Sequence, residues 1–156
     1  MLNLSIPGFG DFALQHIVFD VNGTLATDGE LVAGVAERLS ALGEMFAVHM
    51  LTADTHGKQA AIDAQLGLTA SRVAPVQERE QKTAFVDDLG AAHVIAIGNG
   101  GNDAGMLQAA ALGIAVIGEE GLSVEALLAA DVVTHHINDA LDLLLKPKRL
   151  AATLRR

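Results

Sequence analysis

The 156-residue sequence contains no cysteine. Disulfide bonds and thiolate metal sites are therefore excluded, and any metal ion must be bound through oxygen atoms or imidazoles. Long uninterrupted apolar segments are also missing, although apolar residues make up 51% of the chain and its mean hydropathy is +0.37. Because a membrane-spanning helix needs about 20 consecutive apolar residues, we expect a soluble protein with no membrane partner. The first residues do not resemble a signal peptide, so we expect a cytoplasmic location.

Basic residues are scarce along most of the chain, and the net charge is −9. Five of the ten Lys and Arg residues lie within 146–156, after the last of the 19 acidic residues. The acidic remainder repels the phosphate backbone of nucleic acids, so we expect no nucleic-acid partner bound along that backbone. The basic end either complements a helix dipole or binds an acidic partner.

Short apolar runs alternate with helical patterns along the sequence, which predicts an α/β fold with a mostly parallel sheet covered by helices on both faces. The length fits one domain, 1–156, which we divide into an N-terminal hairpin (2–16), a core (17–145) and a basic tail (146–156). After a first core strand that begins at Ile17, the predicted strands are 46–51, 72–76, 93–97, 114–117 and 132–133. The predicted helices are 31–42, 58–66, 78–89, 104–111, 124–129 and a segment from residue 139 onward.

Polar side chains follow several of these predicted strands. Asp20 ends the first core strand and precedes a turn at Asn22, and Thr52 ends the next strand. Asn99 and Asp103 lie in a glycine-rich loop after a later strand. Because open α/β sheets bind ligands at the carboxyl ends of their strands, we expect a site there, with Asp20 facing solvent.

These residue types suit phosphoryl transfer. The reaction needs a nucleophile, a cation, donors for the phosphate oxygens and a group that manages the proton of the leaving group. Asp20 is the candidate nucleophile, Thr52 supplies a hydroxyl, and Lys82 supplies a compact positive charge. Asn99 and Asp103 supply oxygen ligands for Mg²⁺.

Each residue also has a simpler structural explanation. The segment 20–23 can form an Asx turn, Thr52 can cap a helix, and Lys82 can be a solvated helix residue. The glycines of 98–101 are similar to a dinucleotide-binding loop, but Asp103 replaces the last glycine of that pattern. The order of the segments, and their placement at strand ends and helix starts, favours the phosphoryl-transfer interpretation.

The motifs resemble those of one family. The run Asp-Val-Asn-Gly-Thr-Leu at 20–25 resembles the first motif of the haloacid dehalogenase superfamily. Within it, Met50–Asp54 and 98–103 resemble the Met-Leu-Thr-Gly-Asp and hinge motifs of P-type ATPase phosphorylation domains. The resemblance covers about residues 15–145 and implies a soluble, stand-alone relative with a Rossmann-like three-layer α/β/α fold. The segment after the first motif is too short for a cap domain, so we expect a capless protein.

The resemblance implies a Mg²⁺-dependent phosphohydrolase that cleaves phosphomonoesters through an aspartyl-phosphate on Asp20. The substrate would be a small phosphorylated molecule or a phosphorylated macromolecule. The implied catalytic residues are Asp20, Asn22, Thr52 and Lys82. The implied phosphate-binding residues are Asn22, Gly23, Thr52, Ala53 and Lys82. The implied magnesium ligands are Asp20, the backbone carbonyl of Asn22, Asn99 and Asp103.

Two asparagines depart from the family pattern. Asn22 stands where family phosphatases usually have the acid-base Asp, and Asn99 replaces another usual Asp, so we expect slow turnover and weaker Mg²⁺ binding. The alternative is a regulatory module that has lost catalysis and binds phosphate or a phosphorylated partner. A site without a cap domain needs another surface to enclose it. We therefore also expect a homo-oligomer, in which a neighbouring subunit supplies that surface.

Overall fold

The computed structural model describes residues 1–54 and 57–156, which form ten strands, seven α-helices and two short 3₁₀ helices. Six strands form one parallel sheet, which confirms the α/β fold with a mostly parallel sheet. In spatial order they are β10 (Val132–Thr134), β9 (Leu112–Val116), β8 (Val94–Gly98), β3 (His16–Asp20), β6 (Ala47–Thr52) and β7 (Ser71–Arg72).

Strand β3 lies in the middle of the sheet because its side chains from Ile17 to Phe19 are fully buried. Its neighbours are β6 and β8, in a register that pairs Asp20 with Leu51 and Phe19 with Ile97. The three strands therefore end at the same edge of the sheet, where they carry the polar residues of the predicted site.

Helices cover both faces of the sheet, which completes three layers. Buried side chains of α1, α2, α6 and α7 contribute to one apolar core, and those of α3, α4 and α5 contribute to the other. The helices are α1 (Val35–Gly43), α2 (Gln59–Leu66), α3 (Glu78–Asp88), α4 (Ala104–Ala109), α5 (Val124–Ala129), α6 (Ile137–Leu145) and α7 (Pro147–Leu154). None of the helices in the described parts of the chain is long and apolar enough to span a membrane.

The predicted N-terminal hairpin is present as the antiparallel pair β1 (Leu2–Ile6) and β2 (Gly10–Leu14). The basic C-terminal segment packs against it, because Arg156 N–H donates to the carbonyl of Pro7 at 3.0 Å. The Arg156 guanidinium also lies 5.3 Å from the centre of the Phe9 ring, a cation–π contact. This contact, and the burial of Leu150 in α7, anchor the end of the chain on the protein.

The first predicted helix begins too early. Asp28 and Gly29 both have positive φ, 53° and 76°, as a two-residue hairpin turn of type I′ requires. This turn joins β4 (Ala26–Thr27) to β5 (Glu30–Leu31), so Leu31 belongs to a strand although its spacing suits a helix. The strand predicted at 72–76 is also shorter and lies at β7.

Candidate active site

One lysine connects two carboxylates at the ends of neighbouring strands. Lys82, from α3, places its Nζ 2.6 Å from Oδ1 of Asp20 and 2.7 Å from Oδ1 of Asp103. All three side chains are buried, and only 1% of the Lys82 side chain is exposed. The structure therefore brings together three residues that lie in separate segments of the sequence and were predicted to share one site.

Asp20 is buried, with an exposed fraction of 6%, so the expectation that it faces solvent is wrong. Burial, together with the charge of Asp103, raises the pKa of Asp20 to about 7 despite the opposing effect of Lys82. Burial acts to lower the pKa of Lys82, but the two carboxylates outweigh it and raise that pKa above its usual value. With both carboxylates ionised, the one cation shared between them would leave one negative charge without a counter-charge.

Backbone donors fix the second carboxylate in place. Oδ2 of Asp103 accepts hydrogen bonds from the N–H groups of Asn99 at 3.0 Å and Gly100 at 2.9 Å. Its side chain lies so close to Gly98 that an added Cβ there would be 2.6 Å from Asp103 Cγ. The glycine at 98 therefore provides the space that the carboxylate occupies.

Thr24 connects the first motif to the glycine-rich loop, a role that the sequence did not reveal. Its Oγ1 lies 3.3 Å from Asp20 Oδ2 and 3.2 Å from Asn99 Oδ1. A hydroxyl has one proton, so it donates to one of these oxygens at a time. Its spacing of four residues from Asp20, within the first motif, is the signal that could have identified this residue.

Asn22 and Thr52 meet on the other side of Asp20. The amide Nδ2 of Asn22 donates to Thr52 Oγ1 at 3.4 Å, and the N–H of Asp54 donates to the same oxygen at 2.9 Å. Ala53 lies between these partners in the chain, and Gly23 is buried beside Asn22. Four of the five residues predicted to bind phosphate thus follow or end β3 and β6, and the fifth, Lys82, comes from α3.

The loop after β9 also reaches the site, and no pattern in the sequence pointed to it. A Cβ added at Gly23 would collide with Oε2 of Glu120 and would lie 2.7 Å from Asn99 Nδ2. Asn99 Nδ2 in turn donates to the carbonyl of Gly121 at 3.4 Å. The exposed carboxylate of Glu120 therefore lies against the same face of Gly23 as the Asn99 amide.

The donors present suit magnesium in type. Within residues 1–54 and 57–156, no group of three or more His, Asp or Glu side chains is arranged to hold a metal ion. Mg²⁺ commonly uses only one or two carboxylates, with water and substrate phosphate completing its octahedron. The carboxylates of Asp20 and Asp103, the amide oxygen of Asn99 and the unbalanced negative charge fit such an ion.

A family model for haloacid dehalogenase-like hydrolases matches residues 84–141. The matched residues include the loop at 98–103, and the motif at 20–25, which lies outside them, follows the adjoining strand β3. Over this C-terminal part, residues 84–141, the chain is therefore similar to haloacid dehalogenase-like hydrolases. An uncharacterized protein of Methanocaldococcus jannaschii is 56% identical over 62 residues, which are 40% of this chain and 67% of that protein.

Solved structures of the superfamily share the fold. A 3-deoxy-D-manno-octulosonate 8-phosphate phosphatase from Moraxella catarrhalis, solved with magnesium ion, phosphate ion and KDO, has a TM-score of 0.65 and 17% identity. That comparison covers 92% of this chain and 94% of the phosphatase. A zinc-transporting PIB-type ATPase in the E2·Pi state has a TM-score of 0.59 and 30% identity, over 78% of this chain and 20% of the ATPase.

Proposed function

We propose that the protein is a Mg²⁺-dependent phosphohydrolase that cleaves phosphomonoesters, with Asp20 as the nucleophile. The observation that carries this proposal is the buried Lys82 ammonium shared between the carboxylates of Asp20 and Asp103. A buried lysine at this position holds a nucleophilic carboxylate in place and offers positive charge to an incoming phosphate. The substrate class is a small phosphorylated molecule or a phosphorylated macromolecule.

In the first step, a carboxylate oxygen of Asp20 forms a bond to phosphorus while the bond from phosphorus to the leaving oxygen breaks. The leaving oxygen takes its proton from solvent water, because Asn22 cannot supply one. Lys82 neutralises charge on the transferred group, and the hydroxyl of Thr52 donates to one of its oxygens. In the second step, water cleaves the aspartyl-phosphate, which releases phosphate and restores the carboxylate. The backbone around Gly23 and Ala53 adds donors beside the same phosphate.

The proposed magnesium ligands are Asp20, the Asn22 carbonyl, Asn99 and Asp103. A bound Mg²⁺ ion would neutralise phosphate charge and orient the phosphate toward Asp20. Asp103 is already held by two backbone N–H groups, so its position does not depend on the ion.

Slow turnover is part of the proposal because Asn22 occupies the position of the usual acid-base carboxylate. An amide neither protonates a leaving oxygen nor activates water, and a positioned acid-base group contributes about 10²- to 10⁴-fold in rate. The hydrogen bond from Asn22 to Thr52 is consistent with a positioning role for this side chain.

The second candidate is a regulatory module that binds phosphate or a phosphorylated partner without turnover. The amides at Asn22 and Asn99 favour it, because each removes a carboxylate from the site. Phosphate binding without hydrolysis of any phosphomonoester would support this candidate.

Beryllium fluoride, a mimic of the aspartyl-phosphate, tests the nucleophile directly. With Mg²⁺ and beryllium fluoride, we expect the melting temperature of the purified protein to rise, and we expect no rise for Asp20→Asn. A panel of phosphomonoesters should show slow release of phosphate that is lost in the same variant. If Asp20→Asn retains turnover, Asp20 is not the nucleophile.

We also propose that the protein is a homo-oligomer. Helix α5 exposes Val124, Leu127 and Leu128, with exposed fractions of 67%, 43% and 80%. Apolar side chains grouped on one short helix favour a contact with a second copy. Light scattering at micromolar concentration tests this, and Leu128→Lys should shift the protein toward the monomer.

A further inference from the structure

We propose that Glu120 is an additional ligand for the magnesium ion and restores the negative charge that is missing at Asn99. This inference rests on the proposed Mg²⁺-dependent function. It starts from the position of the Glu120 carboxylate, which lies against Gly23 beside the Asn99 amide.

The backbone keeps this loop at the site. The N–H of Ser123 donates to the carbonyl of Asn99 at 2.9 Å, and Asn99 Nδ2 donates to the carbonyl of Gly121 at 3.4 Å. The loop also approaches the first motif closely, since a Cβ added at Gly118 would be 3.1 Å from the carbonyl oxygen of Gly23. Contacts on both sides of Glu120 therefore place its backbone near the proposed metal ligands.

The side from which Glu120 approaches favours a metal ligand over an acid-base group. Strand β3 has β6 on one side and β8 on the other. The Asn22 side chain turns toward Thr52 at the end of β6. An acid-base group that replaced the carboxylate missing at position 22 would have to act on that side of β3. Glu120 instead lies next to Asn99, which follows β8 and is a proposed metal ligand.

Charge and flexibility also suit this role. Asn99 is neutral, so the proposed ligands include only two carboxylates, those of Asp20 and Asp103, and Lys82 pairs with both. In the described part of the chain, the carboxylates of Asp20, Asp103 and Glu120 are not arranged around one ion, so Glu120 has to turn toward it. Its side chain is exposed and has three torsions with which to do so. Carboxylate oxygens are preferred ligands of Mg²⁺, and affinity depends on the number of charged ligands.

The test is isothermal titration of Mg²⁺ into the purified full chain, compared among variants. Glu120→Gln should weaken Mg²⁺ binding about 10-fold, as the loss of a supporting ligand typically does. Glu119→Gln is the matched control, because it removes the same charge from the neighbouring exposed position, and its effect should stay below about twofold. Melting curves without Mg²⁺ show whether each variant is folded.

A second substitution checks whether Glu120 affects Mg²⁺ affinity by replacing the negative charge that Asn99 lacks. Asn99→Asp introduced into Glu120→Gln should recover most of the lost affinity, and the two changes should be non-additive in a double-mutant cycle. Equal affinities for Glu120→Gln and Glu119→Gln would overturn the inference. If Asp103→Asn still abolishes binding in that case, the proposed function survives; if the wild-type chain binds no Mg²⁺, both proposals fail.

Discussion

The Nζ of Lys82 lies 2.6 Å from Oδ1 of Asp20, although 62 positions separate the two residues in the sequence. The same ammonium lies 2.7 Å from Asp103, so one cation pairs with two buried acids at once. A buried ion pair is of uncertain net benefit compared with apolar residues, but removal of one partner leaves a buried charge without compensation. This relationship makes Lys82 a residue for stability as well as for the proposed chemistry.

We therefore predict that Lys82→Met lowers the free energy of unfolding by about 3–5 kcal/mol, the range found when one partner of a buried pair is removed. Urea denaturation at pH 7.5 measures it. Lys58→Met is the control, because the Lys58 ammonium is exposed and donates only to the carbonyl of Asp28 in the described part of the chain; its effect should be below about 0.5 kcal/mol. Equal effects for the two variants would contradict the stabilising role of the shared ammonium.

The sequence predicted most of the sheet because β3, β8 and β9 are continuous apolar runs that are buried in the structure. The error at Leu31 arose because its spacing fits a helix, whereas the Asp28–Gly29 turn sets the local conformation. The sequence contained both the helical spacing and the turn residues, and the turn residues determined the structure at Leu31.

The site was predictable only in part. Strand ends identified Asp20, Thr52 and Asn99, because parallel strands place their carboxyl ends at one edge. Burial of Asp20 was not predictable, since it depends on Lys82 arriving from α3. Glu120 gave no sequence signal because its place near Gly23 follows from the path of one loop.

A second prediction concerns the space at Gly98. In Gly98→Ala the new Cβ would meet the Asp103 side chain at 2.6 Å, and that carboxylate is buried and held by Lys82 and the backbone. We expect destabilisation of about 1–3 kcal/mol from overpacking, together with loss of Mg²⁺ binding. Gly43→Ala is the matched control, because no atom outside the adjoining backbone lies within 4 Å of its added Cβ. A Gly98→Ala protein as stable as this control, with normal Mg²⁺ affinity, would show that the site tolerates the added Cβ.

A third prediction follows from the histidine pair on β3 and β6. Burial, and then the nearby His16, lower the pKa of His49 below its usual value of 6.5. The unfolded chain therefore binds more protons than the folded protein as the pH falls below about 6.5, so stability should decrease over that range.

Chemical denaturation between pH 5 and pH 8 measures this dependence. His49→Leu should show a weaker decrease below about pH 6.5 than the wild type, because it removes the proton-binding group. The Leu side chain also keeps an apolar contact with Phe85, whose ring centre lies 5.6 Å from that of His49. Parallel curves for the two proteins across the whole range would assign the pH dependence to other groups.

The last prediction concerns the missing acid-base carboxylate. Asn22→Asp places a carboxyl group where the leaving oxygen of a bound phosphomonoester would be, while the backbone carbonyl that is a proposed magnesium ligand stays the same. If the rest of the site is competent, turnover should rise about 10- to 1,000-fold, which is part of the contribution of a positioned acid-base group. A regulatory module without a place for a leaving group should stay inactive, so the two candidate functions predict different results.

The measurement compares phosphate release by the wild type, Asn22→Asp and the double variant Asp20→Asn/Asn22→Asp. The double variant should be inactive, because the new carboxylate has no phosphoryl group to act on without the nucleophile. Intact mass must be checked, since Asn22 and Asn99 both precede glycine, a sequence prone to deamidation that would itself create a carboxylate. Normal beryllium fluoride binding with no gain in turnover on any substrate would reject the slow phosphatase and favour the regulatory module.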